Sequence, residues 1–63
     1  MSEGTVKFFN EGKAFGFITP ADGSRDIFVH SSGLMNKVKD GDKVSYEIED
    51  TPKGKNAIKV KRL

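Results

Sequence analysis

The stretch Lys13-Ala14-Phe15-Gly16-Phe17-Ile18 decides how the whole chain is read. Successive strand side chains point to opposite faces, so Lys13, Phe15 and Phe17 share one face and Ala14, Gly16 and Ile18 the other. A second stretch, Asp26-Ile27-Phe28-Val29-His30, selects which face is inside. Ile27 and Val29 are stiff, β-branched residues suited to a packed interior, and they leave Phe28 and His30 together on the opposite side. With Ile18, Ile27 and Val29 inward, Phe15, Phe17, Phe28 and His30 face out. Burying the rings instead would put those three aliphatic residues in water. An exposed aromatic patch of this kind marks a binding surface.

Outward from these two stretches the chain breaks into short strands. Thr5–Asn10 reads as the first, rich in β-branched and aromatic residues. Strict alternation groups Val6 with Phe8 and Lys7 with Phe9, and leaves open which phenylalanine is outside. Glu11-Gly12 is a turn signal leading into the second strand, Lys13–Thr19. Pro20–Arg25 is a turn-rich connection, and Asp26–His30 is the third strand. Ser31–Met35 has the composition of one short helical turn capped by a serine, and Asp40-Gly41-Asp42 is a turn. Lys43–Glu49 alternates cleanly, with Val44, Tyr46 and Ile48 on one face and Ser45, Glu47 and Glu49 on the other. Asp50–Lys55 is a polar loop. Asn56–Leu63 is the last strand, with Ile58 and Val60 expected inward and Lys59 and Lys61 outward. If it neighbours the fourth strand, Lys59, Lys61 and Arg62 are expected to form weak surface ion pairs with Glu47 and Glu49. Five short strands in so short a chain bury one face best by curling into a closed barrel, which also removes free edges. The expected fold is all-β, a five-stranded antiparallel barrel.

Composition narrows the function. A chain of 63 residues is expected to be one domain, 1–63, with one small core. With no cysteine and a single histidine, neither a disulfide nor a metal site nor a cofactor is expected. No apolar run reaches the length of a membrane helix and no signal peptide is evident, so a cytoplasmic protein without a membrane partner is expected. A net charge of +2 and a pI of about 9.0 favour a nucleic-acid partner. The chain is not expected to be an enzyme or to take a small-molecule substrate. His30 and Ser31 point to opposite faces of a strand, and Ser32 shares parity with His30 without a third group to complete a dyad. No phosphate-binding loop of the P-loop type is present.

Three stretches together carry a family resemblance. Val6-Lys7-Phe8-Phe9-Asn10, Lys13–Ile18 and Ile27-Phe28-Val29-His30 resemble, in order and spacing, the signature of bacterial cold shock proteins, the last two matching the family's ribonucleoprotein-type motifs. The resemblance runs from about Glu3 to Val60. It implies an OB-fold-type barrel that binds single-stranded RNA and DNA, commonly as an RNA chaperone or a regulator of expression. Four features depart from the family pattern. Phe8 stands where tryptophan is usual. Ala14 stands where glycine is usual, and by alternation its methyl is expected to point inward. Ser31 replaces an aromatic residue, and the segment 31–42 is short and lacks an aromatic. A smaller footprint than usual is expected.

The chemistry of the patch follows from its residue types. Every base has a π-face, and stacking on an aromatic ring contributes roughly 1–3 kcal/mol per base while tolerating sequence variation. Phe8, Phe15, Phe17 and Phe28 are the candidate stacking platforms, with His30 beside them. Lys7 and Lys13 flank the rings and Lys53 can reach the same surface from its loop, so these three are candidate phosphate contacts. Unpaired strands are expected to be preferred over duplexes, whose base faces are already occupied, and the protein is expected to be a monomer. The competing reading is a small SH3-like barrel holding a protein or peptide. Its groove, however, usually needs tyrosine or tryptophan with acidic loop residues. A domain of the RRM type shares the Lys-x-Phe-Gly-Phe pattern but needs two helices that this chain does not spell.

Overall fold

β-branched and aromatic residues concentrate in five runs, and in a computed structural model describing residues 2–63 each run is a strand. These are β1 (Ser2–Asn10), β2 (Phe15–Pro20), β3 (Ile27–His30), β4 (Lys43–Thr51) and β5 (Gly54–Arg62), with one 3-10 turn, Ser31–Gly33, after β3. They close into a barrel in the order β1-β2-β3-β5-β4. The neighbours are antiparallel except β3 and β5, which run parallel through Phe28↔Asn56 and Val29↔Ala57. The expectation of an antiparallel barrel is corrected at that seam, and the reason is parity. A closed ring with an odd number of strands cannot alternate direction all the way round, so one neighbouring pair must be parallel.

The interior is filled by Val6, Ile18, Ile27, Val29, Val44, Tyr46, Ala57 and Val60, joined by Val38 from the connection between β3 and β4. Ile18, Ile27 and Val29 are thus inside, as the two central stretches require. Two bulges adjust the alternation of the remaining strands. On β1, Val6 pairs with Ile18 and Phe8 with Phe17, so two steps on β1 match one step on β2 and Lys7 is an extra, unpaired residue. Val6 is therefore buried while Phe8 is 36% exposed, and Phe9 turns back to pack partly against the core. On β5, Ser45 pairs with Lys61 but Glu47 with Ile58, and Lys59 takes a positive φ of 52°. That bulge places Ala57 and Val60 inside and leaves Ile58 only half-buried, which corrects the expected Ile58/Val60 pair. Ile48, expected beside Val44 and Tyr46, is 42% exposed near the far end of β4.

Close packing of β1 on β2 depends on Gly16. A Cβ there would lie 2.3 Å from the Phe8 carbonyl oxygen and 2.7 Å from the Phe9 ring. The missing side chain at Gly16 is the space that Phe9, its cross-strand partner, occupies. Beyond Thr5, β1 has no strand on its other side among the described residues and is covered by the turn Asp40-Gly41-Asp42. The Val6 amide donates to the Asp42 carbonyl at 2.8 Å, the Gly41 amide to the Val6 carbonyl at 2.7 Å, and the Phe9 amide to Asp40 Oδ1 at 2.9 Å.

Ala14 does not sit in a strand with its methyl aimed at the core. It closes the turn before β2 with φ 59°, and its carbonyl accepts from the Ser31 amide at 2.9 Å. A left-handed conformation costs a non-glycine residue about 1–2 kcal/mol, against about 0.5–1 kcal/mol of extra unfolded-state entropy for glycine. Ala14→Gly is therefore expected to raise stability by about 0.5–1 kcal/mol in urea unfolding, and a loss of stability would contradict this account of the turn.

Tyr46 fills the barrel interior, and its buried hydroxyl has no hydrogen-bond partner among the described residues. Burial, with a smaller effect from the Asp22 carboxylate, pushes its pKa up. An unpaired buried hydroxyl costs about 1–3 kcal/mol. Tyr46→Phe is expected to gain about 1 kcal/mol, moving Tm up by about 4–8 °C for a domain of this size. A drop in Tm would show that the hydroxyl has a partner.

Candidate functional site

The strand register assembles the outward residues into a grid. Phe8, Phe17 and Phe28 are successive cross-strand partners, forming one row across β1, β2 and β3; Asn10, Phe15 and His30 form the next. The rings contact one another across these rows. Phe8 lies 5.5 Å from Phe17 and 6.4 Å from Phe15, centroid to centroid. Phe17 meets Phe15 at 6.2 Å and Phe28 at 6.0 Å, both edge to face. Phe15 and Phe28 lie nearly parallel, 5.7 Å apart with their planes 8° from each other. The four phenylalanines proposed from sequence are thus brought into one cluster on the barrel's outer face. Phe15, Phe17 and Phe28 are half-buried by their mutual packing and Phe8 is exposed, so each ring keeps solvent-facing area. The surface is an open platform. A cleft of about 710 Å³ lies elsewhere, at the barrel end among Pro20, Asp22, Ile27, Tyr46 and Ile48, and none of the four rings lines it.

His30 stands at a corner of the grid as the cross-strand partner of Phe15. Its Nδ1 accepts from the Ser32 amide at 3.2 Å and lies 3.0 Å from Ser32 Oγ. His30, not a serine, therefore caps the 3-10 turn. Because Nδ1 uses its lone pair to accept, the hydrogen of the neutral ring sits on Nε2 and remains available as a donor. Among the described residues no carboxylate is hydrogen-bonded to this ring, so the contact with Ser32 is a local cap.

The lysines are placed less uniformly. Lys7, the bulged residue, reaches across β2 to Asp26, its Nζ 3.0 Å from Oδ2, while Asp26 Oδ1 accepts from the Thr19 hydroxyl at 3.0 Å. Lys13 is exposed in the β1–β2 turn, where its amide donates to Asn10 Oδ1 at 3.1 Å. Lys53 is exposed in the turn between β4 and β5, its amide donating to Thr51 Oγ1 at 3.2 Å. Three neighbours of the rings were not singled out from sequence. Asp26 holds Lys7, Thr19 donates to Asp26, and Asn56 extends the Phe8–Phe17–Phe28 row onto β5. The charge on Asp26 beside the aromatic stretch was a visible signal for the first, whereas the place of Asn56 follows only from the parallel seam.

Comparison with known proteins gives a consistent family. The 'Cold-shock' DNA-binding domain matches residues 2–63. The chain is 50% identical over 62 residues to the Cold shock-like protein CspC of Escherichia coli (strain K12), spanning 92% of this chain and 90% of that protein. It is 43% identical over 67 residues to the Major cold shock protein of Micrococcus luteus, with 100% of both chains covered. Among solved structures, Drosophila Unr CSD456 matches with a TM-score of 0.81 at 22% identity, over 98% of this chain and 26% of that one, a likeness of fold.

The Lys7–Asp26 contact sets a titration. The hydrogen bond from Lys7, then that from Thr19, holds the Asp26 carboxyl below its ordinary value of 3.8, against a small opposing effect of desolvation. A carboxylate with a lowered pKa stabilises the fold fully above its ordinary value, and that contribution is lost as pH falls through the lowered value. In an NMR pH titration Lys7→Ala is expected to raise the Asp26 pKa toward 3.8, and by more than Thr19→Val does. An unchanged value in Lys7→Ala would mean that the ion pair does not persist in solution.

Proposed function

Because this chain belongs to the cold-shock DNA-binding domain family, which is a nucleic-acid-binding family, we propose that it binds unpaired RNA and DNA by stacking bases on Phe8, Phe15, Phe17 and Phe28. The observation that carries this reading is the four-ring cluster held on the outside of a barrel whose interior is already filled by Tyr46 and aliphatic residues. His30 contributes its edge and its Nε2 hydrogen at the corner of the grid. Lys7, Lys13 and Lys53 meet phosphates. The whole chain acts as one domain and as a monomer in the cytoplasm, with the part of an RNA chaperone or a regulator of expression, and it is a binding module without catalysis.

The mechanism follows from what a stacking platform can and cannot engage. In a duplex each base is already sandwiched by its neighbours, so the rings gain nothing from it. A single strand offers free faces, and each stacked base contributes roughly 1–3 kcal/mol. Binding the open form of a hairpin in preference to the closed one shifts the equilibrium toward the open form, which is the action a chaperone of RNA needs. Lys7 must leave Asp26 to meet a phosphate, so its net contribution is smaller than that of a free lysine. Two to three phosphate contacts give a slope of log affinity against log salt between about −1.4 and −2, at roughly −0.7 per contact.

The test is a titration of a dye-labelled pyrimidine strand followed by anisotropy, beside the same sequence as a duplex, at two salt concentrations. The single strand is expected to bind preferentially with the shallow slope above. In the folded double variant Phe15→Ala/Phe28→Ala, loss of two stacked bases is expected to weaken binding by at least about 30-fold. Equal binding to duplex and single strand, a steep slope and an unaffected variant would overturn the reading and leave the aromatic face to a protein partner.

A further inference from the structure

The basic run of β5 is not used by the aromatic face, and the ion pairs expected for it from sequence form only in part. Lys59 Nζ lies 3.5 Å from Glu47 Oε2. Lys61 and Arg62 sit opposite Ser45 and Val44, whereas Glu49 sits opposite Asn56, toward the other end of the strand pair. Among the described residues neither Lys61 nor Arg62 makes an ion pair. Glu47 therefore offsets Lys59, and Lys61 is left as an exposed cation on the outer surface of β5.

This cation is connected to the aromatic grid by the segment that follows β3. Ser32 is the hydrogen-bond partner of His30. Gly33 then lies directly on β5, so close that a Cβ would meet the Ala57 carbonyl oxygen at 2.9 Å. Leu34 bridges to Val60, and the Met35 amide donates to the Val60 carbonyl at 2.8 Å. The chain thus crosses from β3 onto β5, and a cleft of about 440 Å³ opens along the crossing, lined by Ser32, Gly33, Met35, Lys59 and Lys61 among others. Met35 is 57% exposed, and its polarizable thioether suits contact with an aromatic face.

We propose that a strand running off the His30 corner continues over Ser32 and Gly33 into this cleft, setting a base against Met35 and a phosphate on Lys61. The extension rests on the reading of the aromatic face as a single-strand platform. It uses charge and surface that this platform leaves over, and it makes the site longer than the grid alone. Lys61 is the phosphate contact of the extension because Lys59 is already engaged by Glu47.

The experiment compares a pyrimidine hexanucleotide with a decanucleotide of the same composition, each labelled, on wild type, Lys61→Gln and Lys61→Arg. The wild type is expected to bind the longer strand with a salt slope steeper by about 0.7, the value for one more phosphate. At about 0.1 M salt, Lys61→Gln is expected to lose about 5-fold on the decanucleotide and to return its slope to that of the hexanucleotide. Binding of the hexanucleotide is expected to be unchanged, and Lys61→Arg to behave as wild type on both. If Lys61→Gln weakens both strands equally, or neither, the extension is overturned while the aromatic platform stands. If the hexanucleotide fails to bind wild type at all, the platform reading falls and the extension with it.

Discussion

The arrangement of the outer face depends on one extra residue in β1. Val6 and Phe8 are two positions apart and would share a face in a regular strand, yet one is buried and the other exposed. Lys7 is the unpaired residue between them, and the slip it introduces turns everything after it by one position. Without the slip, Phe8 would follow Val6 inward and Phe9 would face out. With it, Phe8 completes the row to Phe17 and Phe28, Phe9 enters the space left by Gly16, and the Lys7 side chain is thrown sideways onto Asp26. The turn at Asp40–Asp42 holds the bulged half of β1 by bonding the Val6 and Phe9 backbone on the side where no strand pairs with it.

The same element shows where sequence reading succeeds and where it stops. β2 and β3 alternate without interruption, so Ile18, Ile27 and Val29 could be assigned inside and Phe15, Phe17, Phe28 and His30 outside from the period alone. Period alone could not assign Phe8 and Phe9, because a bulge leaves no compositional mark on an ordinary lysine, and Phe8 was singled out only beside the family resemblance. The bulge at Lys59 hides in the same way and moves the buried residue from Ile58 to Ala57. Ile48 keeps its alternation but reaches the barrel end, where an inward parity no longer means a covered side chain. Val38 was missed because it lies outside any periodic segment, although it is buried against the core. The parallel seam between β3 and β5 was within reach of reasoning, since the parity of a five-membered ring demands it.

For the site, residue identity was more legible than residue engagement. All four outer rings and His30 were named from the sequence, and the structure gathers them. That Lys7 is held by Asp26, and His30 by Ser32, depends on side-chain reach across strands and turns, which alternation does not encode. Ala14 illustrates the same limit for the backbone. Its departure from the family's glycine is visible in the sequence, but its effect is a left-handed turn conformation and not the inward methyl that strand period suggested.

On the proposed reading, a filled apolar interior and a clustered aromatic exterior divide stability and recognition between the two faces of one sheet. The rings are held by one another and by the barrel beneath them, so they are ordered before a ligand arrives, and little further ordering is needed on binding. The most direct test of that account is an NMR measurement of intermolecular NOEs between an oligothymidine strand and the protein, with the ring resonances of Phe8, Phe15, Phe17 and Phe28 assigned. The account expects contacts from base protons to all four rings, with base resonances shifted upfield by ring currents. Contacts confined to lysine methylenes, with the ring signals unmoved, would contradict it.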